Sequence, residues 1–403
     1  MDASRYPMVN PELALETVLN HTPVLGPEKV ALTESAGRVL AIDLFASENL
    51  PPFAASAVDG YAVRSDDPSP TRRVLAEVTA GQDRDVMVRA GTAVRTMTGA
   101  PVAPGADAVV MVEYTQERNG EVTLARPVRS GENVRPVGQD LKAGQLVLAK
   151  GTLIGPPEVG LLAALGHRDI DVFRRPRVAV LSTGDELVEP WEEAGPAKIR
   201  DSNRYALMAA VKQAGCEALS MGMVKDVRSE QQEQIRRGLD AADVLITSGG
   251  VSMGVRDLVK GILVGMGTVH IGRVAMKPGK PLTFATVGEK LFFGLPGFPV
   301  SSLVTFELFV RPALIKMQGR PEVCRPRSDV ILEHDVTPAP DRQEYQRAIV
   351  RSQGGRLTAS TTGLQVSSRL LSMAGANALL VFEPGQKKAA GETVTAILTG
   401  PIW

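Results

Sequence analysis

Residues 244–257 read VLITSGGVSMGVRD: an apolar run, a turn dense in glycine, and an acid that precedes a second apolar run. This order predicts strand, loop, helix, with the amides of the loop turned toward an anion. Gly249, Gly250 and Gly254 suit the turn because glycine takes positive φ and lets a phosphate approach the backbone. Asp257 follows at a place from which a carboxylate can hold a hard cation against that phosphate.

Four more acids fall at turn or strand-end positions: Asp59 in SAVDGYAV, Asp140 in GQDL, Glu186 in STGDEL and Asp226 in VKDV. Magnesium takes one or two such carboxylates with phosphate oxygens and water. Each acid is also suited to cap its own turn, so a metal site requires several of them to converge. In MKPGKP, Lys277 and Lys280 flank a Pro-Gly turn that keeps two ammonium groups close only where an anion neutralises them; a solvated turn is the alternative. LPGFPVSS sets Pro296 and Pro299 ahead of a helix whose first amides suit an oxyanion, although helix initiation alone explains the prolines. Residues 250–254 also fit G-x-S-x-G, which makes Ser252 a candidate hydrolase nucleophile. Its triad would need His270 or His334; the first follows too soon, and the second falls in a separate terminal region. GxxxxGK[ST] is absent, which argues against a P-loop motor or kinase.

These groups must be positioned by several domains, since 403 residues exceed one ordinary core. Forty-five basic side chains balance 45 acidic ones, so no overall field recruits nucleic acid or an anionic membrane. Cys216 and Cys324 lack CxxC spacing, and His21, His167, His270 and His334 are too scattered for a zinc site. No apolar run reaches the length of a spanning helix, and the first residues carry no signal-peptide pattern. A soluble, cytoplasmic protein is the expectation.

Helical spacing marks residues 11–20 and 28–43, and a proline-started helix is expected at 156–165. Between them, residues 48–140 break into short β-branched runs separated by Gly, Pro and Asp, which reads as an inserted β-rich domain. The flanks, 1–47 and 141–175, then form one discontinuous helical and linking domain. Residues 176–320 alternate strands and helices, with helices opened at Asp201 or Ser202 and at a capping box over residues 229–232, and a long apolar helix at 299–316. That alternation predicts an α/β domain of mainly parallel sheet, whose ligands sit at the carboxyl ends of the strands. STGDE, VKDV, the glycine turn and MKPGKP all fall there. Residues 321–403 return to short strands with turns at Gly354, Gly363 and Gly385, a C-terminal β-rich domain.

Taken together, PPFAASAVDGYAV, RTMTGAPVAPGADAVVMVE, GENVRPVGQD, STGDEL, DSN at 201–203, TSGGVSMGVRD, MKPGKP and GLPGFPVSS resemble the molybdopterin molybdenumtransferases, including the gephyrin E domain, in collinear order from about residue 10 to the end. The resemblance implies insertion of molybdate into adenylylated molybdopterin with release of AMP, aided by Mg2+, in a homodimer of elongated, four-part subunits. It implies a cleft between the α/β domain of one chain and the inserted domain of the other, and transient contact with a molybdopterin adenylyltransferase is compatible with it. On matching positions, Glu186, Asp226 and Asp257 would hold metal and pyrophosphate. Ser248, Gly249, Gly250 and Ser252 would cradle molybdopterin, and Lys277, Lys280, Pro296 and Pro299 would form the molybdate end. Asp59, Thr98 and Asp140 would complete the cleft. The chain departs from the family at Phe298, where LPGNPVS is usual, and at Ala54 and Ala55, where an acidic or amide pair is common. The Phe298 departure leaves the choice between molybdate and tungstate open. A scaffolding role like gephyrin's, and adenylyl transfer to molybdopterin, are the competing readings.

Overall fold

The apolar run before the glycine turn is a strand, Val244–Ser248, buried throughout. The computed structural model describes residues 6–81, 85–250 and 258–402. The chain divides into two units: residues 42–150 with 156–169, and the remainder, which carries this strand.

In that second unit, Val244–Ser248 belongs to a six-stranded sheet. The spatial order is Glu217–Val224, Arg177–Thr183, Val244–Ser248, Lys290–Leu295, Thr283–Val287 and Thr268–Ile271. Only Thr283–Val287 runs against the others. Side chains alternate between the faces with the period of two that a strand imposes. Val178, Val180, Val244, Ile246 and Phe293 join one core with Leu207 and Val211 of helix Asn203–Gln213 and with the helical run that begins at Pro299. Ala179, Leu181, Leu245 and Phe292 join another with Ile235 and Leu239 of helix Arg228–Ala241 and Val259 of helix Leu258–Leu263. Because both faces are covered, the strands read as continuous apolar runs.

The expected long helix is present as Pro299–Thr305, Phe306–Val310 and Arg311–Met317, the middle segment being π-helical. After it, strands Gln343–Gln353, Arg356–Thr361, Arg327–Leu332, Thr393–Leu398 and Ala378–Phe382 pair in that order. Ala378–Phe382 then pairs back onto Gln343–Gln353, which closes a five-stranded ring. Gly354, Gly363 and Gly385 all take positive φ at its turns. Within this unit the N-terminal helix Pro11–Asn20 starts at Asn10, whose side chain accepts the Leu13 N–H at 2.7 Å, and it buries Ala14 and Val18 in the first core.

Two local expectations are corrected. Residues 28–43 are not a helix: Pro27–Ala31 is a strand, Leu32–Glu34 a single 3-10 turn, and Leu40 bridges Val172. The burial in Pro27–Ala31 alternates with period two, and tertiary pairing outweighs the helical spacing of Leu32 and Val39. The capping box at 229–232 is also absent. Its helix starts two residues earlier, at Arg228, with Val227 rather than Ser229 at the cap and no side-chain cap bond.

The other unit contains a six-stranded sheet in the order Ala108–Met111, Gly60–Val63, Thr92–Thr96, Thr71–Val78, Glu121–Leu124, Thr115–Arg118. Tyr61, Val63, Ala93 and Val110 pack on one face, and Ala62, Val94 and Val109 on the other. A Cβ at Gly60 would lie 1.9 Å from the Val110 carbonyl oxygen, so only glycine allows these strands to pair. Gly60→Ala is therefore expected to destabilise this unit by about 3 kcal/mol. Gly26→Ala, where a Cβ meets nothing within 4 Å, should be near neutral. Urea unfolding of both variants checks the contrast.

Candidate functional site

The strands Arg177–Thr183 and Val244–Ser248 are neighbours, and the chain leaves the first toward Glu217–Val224 and the second toward Thr268–Ile271, on opposite sides. Such a switch point opens a crevice at the carboxyl ends of the strands. A cavity of about 710 Å3 lies there, and its lining includes Thr183, Glu186, Asp226, Ser248, Gly249, Gly250, Pro296 and Pro299. Thr283–Val287 runs antiparallel, so Thr283 falls opposite Gly294 and the segment leading into it reaches the same rim. Pro281 of that segment lines the cavity.

The floor is the glycine turn. Gly249 and Gly250 both have positive φ, at 91° and 67°. A Cβ on Gly249 would lie 2.5 Å from the Thr183 carbonyl oxygen, and one on Gly250 would lie 2.8 Å from Thr183 Oγ1. Glycine is thus required both for backbone conformation and for the close approach of two loops. Thr183 Oγ1 is buried and has no hydrogen-bond partner among the described residues. A buried hydroxyl in that state favours a ligand atom or ordered water beside it.

A polar framework fixes the walls. Asn203 Nδ2 donates to Ser248 Oγ and to the Gly297 carbonyl, each at 2.7 Å, and so ties together the loops after two strands. Ser302 Oγ donates to the Pro296 carbonyl at 2.5 Å. Beneath Asn203, the buried Asp201 accepts from Ser182 Oγ at 3.0 Å and from Arg204 Nε at 2.9 Å. Arg204 also donates to Ser220 Oγ at 2.8 Å and to both Glu189 oxygens at 2.7 and 2.6 Å. Burial opposes the charge on Arg204, yet Glu189 and Asp201 still raise its pKa. In turn the guanidinium holds the Glu189 carboxyl below the usual range.

Glu186 and Asp226 both reach the cavity, but by different support. Glu186 is exposed and has no side-chain partner among the described residues, whereas Asp226 Oδ1 accepts from the fully buried Gln231 Nε2 at 2.9 Å. Asp226 N–H donates to Asp185 Oδ1 at 3.1 Å. Asp257, the expected third acid, and Ser252 lie outside the described residues. Among those described, no cluster of three or more His, Cys, Asp or Glu side chains could hold a metal. Two carboxylates on one cavity still suit magnesium, which takes one or two of them and fills its octahedron with phosphate oxygens and water.

The lysines separate. Lys277 Nζ pairs with the buried Glu344 of the barrel at 3.2 Å, so a protein carboxylate supplies the neutralising anion. Lys280 has no ion-pair partner among the described residues, and neither lysine lines the cavity. In the other unit Asp59 Oδ1 accepts the Thr98 N–H and hydroxyl, each at 2.7 Å; these two bonds, the backbone one first, hold its carboxyl below the ordinary range. Asp140 pairs instead with Arg135 at 3.2 Å and shares no bond with Asp59 or Thr98 among the described residues. The histidines a Ser252 triad would need are engaged elsewhere: His270 Nε2 meets Thr286 Oγ1 at 2.9 Å and His334 Nε2 meets Thr361 Oγ1 at 2.8 Å. Neither lines the cavity.

Sequence reading passed over Thr183, Asn203, Gln231 and Ser368 as site residues. Asn203 sits in the DSN run, which was a usable signal, and Thr183 sits in STGDE. Ser368 lines the cavity from a loop held by the barrel, where buried Arg347 donates to Ser372 Oγ at 3.2 Å and to the Val366 carbonyl at 3.3 Å. Burial draws the pKa of Arg347 down to about 10. No local pattern announces that contact.

Fold and crevice define a doubly wound α/β domain with a glycine turn at its switch point, accompanied by β-rich parts. Three family descriptions match in order: the MoeA N-terminal region (domain I and II) over residues 9–166, a probable molybdopterin binding domain over 179–316, and the MoeA C-terminal region (domain IV) over 329–399. The molybdopterin molybdenumtransferase of Haemophilus influenzae is 36% identical over 91% of this chain and 93% of that protein. Gephyrin of Dictyostelium discoideum is 36% identical over 99% of this chain but 63% of its own length. A crystal structure of the molybdopterin biosynthesis MoeA protein from Pyrococcus horikoshii superposes with a TM-score of 0.86 at 32% identity, over 98% of this chain and 100% of that one. The chain belongs to the molybdopterin molybdenumtransferase family.

Arg204→Ala would leave Asp201 as a buried, unpaired carboxylate, and a loss of about 3 to 5 kcal/mol is expected. Arg204→Lys should recover only part of it, because one ammonium cannot span Asp201, Ser220 and Glu189. Denaturant unfolding of the two variants tests this, and wild-type stability in Arg204→Ala would refute it.

Proposed function

We propose that this chain inserts molybdate into adenylylated molybdopterin and releases AMP, producing molybdenum cofactor. The observation that carries the reading is the Gly249–Gly250 turn facing Glu186 and Asp226 across one cavity in a chain of this family. In this reading the Gly250 N–H and the Ser248 hydroxyl hold the anionic ligand, the Gly249 N–H being taken by the Leu295 carbonyl at 3.1 Å, with no Cβ to keep the ligand away. Glu186 and Asp226, with Asp257, would hold Mg2+, which would supply charge neutralisation at the pyrophosphate of the substrate. Gln231 keeps the Asp226 carboxylate in one rotamer, and Asn203 keeps the two loops in register. The molybdate end is assigned to Pro296, Pro299, Lys277 and Lys280, with Glu344 setting the position of Lys277. The homodimer, the roles of Asp59, Thr98 and Asp140, contact with an adenylyltransferase, and a cytoplasmic location belong to the same proposal. No described helix is long and apolar enough to cross a membrane.

The test is AMP release from adenylylated molybdopterin, with molybdenum measured in the recovered pterin. Release should require Mg2+, rise with molybdate, and stop on chelation. Asp226→Asn and Asp257→Asn should each lower the rate by about 100-fold or more without changing the far-UV spectrum. Full activity in both variants would remove the metal assignment. Folded protein that releases no AMP would remove the reaction itself.

A further inference from the structure

We propose that Phe298 is a specificity-determining residue whose phenyl face stacks on the heteroaromatic ring, adenine or pterin, of the phosphate-bearing ligand in this cavity. The inference rests on the reading of the cavity given under the proposed function. Phe298 occupies the cap position of helix Pro299–Thr305 without making a side-chain cap bond. Cap positions favour Ser, Thr, Asp or Asn, so the phenyl group contributes nothing to helix initiation. Nor does it contribute to a core, since it is 59% exposed.

Its backbone, by contrast, is held firmly. Gly297 carbonyl accepts from Asn203, and the Phe298 carbonyl accepts the Ser302 N–H at 3.0 Å. The ring is therefore presented on a fixed loop at the wall of the cavity. Sheet order places it. Val244–Ser248 lies between Arg177–Thr183 and Lys290–Leu295, so the loops after those two flanking strands stand on either side of the glycine turn. Phe298 comes from one flank; Leu187 and Ile199, paired in the short ladder Leu187–Val188 with Ile199–Arg200, come from the other. Ile199 is 57% exposed, and all three line the cavity. An anion-binding floor between two exposed apolar walls matches a ligand with a phosphate at one end and a flat ring at the other. Burying those faces against a ring removes apolar surface from water and adds the stacking preference of aromatic pairs.

Three probes separate the contributions by calorimetry: AMP, a stable 6-substituted pterin phosphate, and ribose 5-phosphate, which has the phosphate but no ring. Phe298→Ala is expected to weaken at least one ring-bearing probe by about 10-fold or more. Ribose 5-phosphate should change by less than about twofold, and Phe298→Tyr should bind like wild type. Loss confined to AMP identifies adenine as the stacked ring, and loss confined to the pterin phosphate identifies the pterin. Unchanged binding of both ring-bearing probes in Phe298→Ala overturns the proposal, as does an equal loss for ribose 5-phosphate. Wild-type protein that binds none of the three overturns the cavity assignment itself, a result distinct from failure of Phe298 alone.

Discussion

Between Val178 opposite Val244 and Ser182 opposite Ser248, two strands pair in parallel with nearly every residue buried. Parallel pairing forces each connection to return over a face of the sheet, and right-handed crossovers on opposite faces must diverge somewhere. They diverge beside Arg177–Thr183. The crevice that results is a consequence of chain connectivity, and the glycine turn, Thr183 and Glu186 lie in it because they end or closely follow the two paired strands. If that register slipped, Ser182 and Ser248 would no longer close the same end of the sheet, and Asn203 could not reach both Ser248 and Gly297.

Polar groups near the crevice are arranged in two tiers with different physics. Asp201, Arg204 and Ser182 are buried, so their ionic contacts are stabilising only as a complete set; any one left alone would carry a large desolvation cost. Their satisfaction fixes the start of helix Asn203–Gln213, and with it Asn203. The second tier is exposed and less constrained: Glu186 has solvent access, and Asp226 is steadied through Gln231. A site that must take up and release an anionic ligand and a hydrated cation needs rigid loops and accessible carboxylates together. The split between a buried polar frame and an exposed pair of acids meets both needs.

The barrel contributes more than its own fold. Met276–Lys277 adds to the strand Gln343–Gln353, and Glu344 of that strand takes the Lys277 ammonium. Ser368 reaches the cavity from a loop anchored by Arg347. In the other unit Asp59 and Thr98 form a local acid held by two short donors, and Gly60 beside them is dictated by the Val110 carbonyl rather than by any chemistry of its own.

Much of this was legible in the residues. Continuous apolar runs such as RVAVLST and VLITS announce strands buried on both faces, and glycine at 249 and 250 announces a turn that side chains cannot make, because burial and backbone sterics act on each residue locally. Collinear motifs then identified the family. Local spacing failed where a neighbour in space decided the outcome: residues 28–31 became a strand through pairing, and the helix at Arg228 began without the expected cap. The partners of Lys277 and Asp226, the Thr183 hydroxyl buried without a partner among the described residues, the entry of Ser368 and the placement of Phe298 across from Ile199 came only from tertiary structure. Those are contacts between residues far apart in sequence, and their geometry depends on strand order, which no single segment encodes.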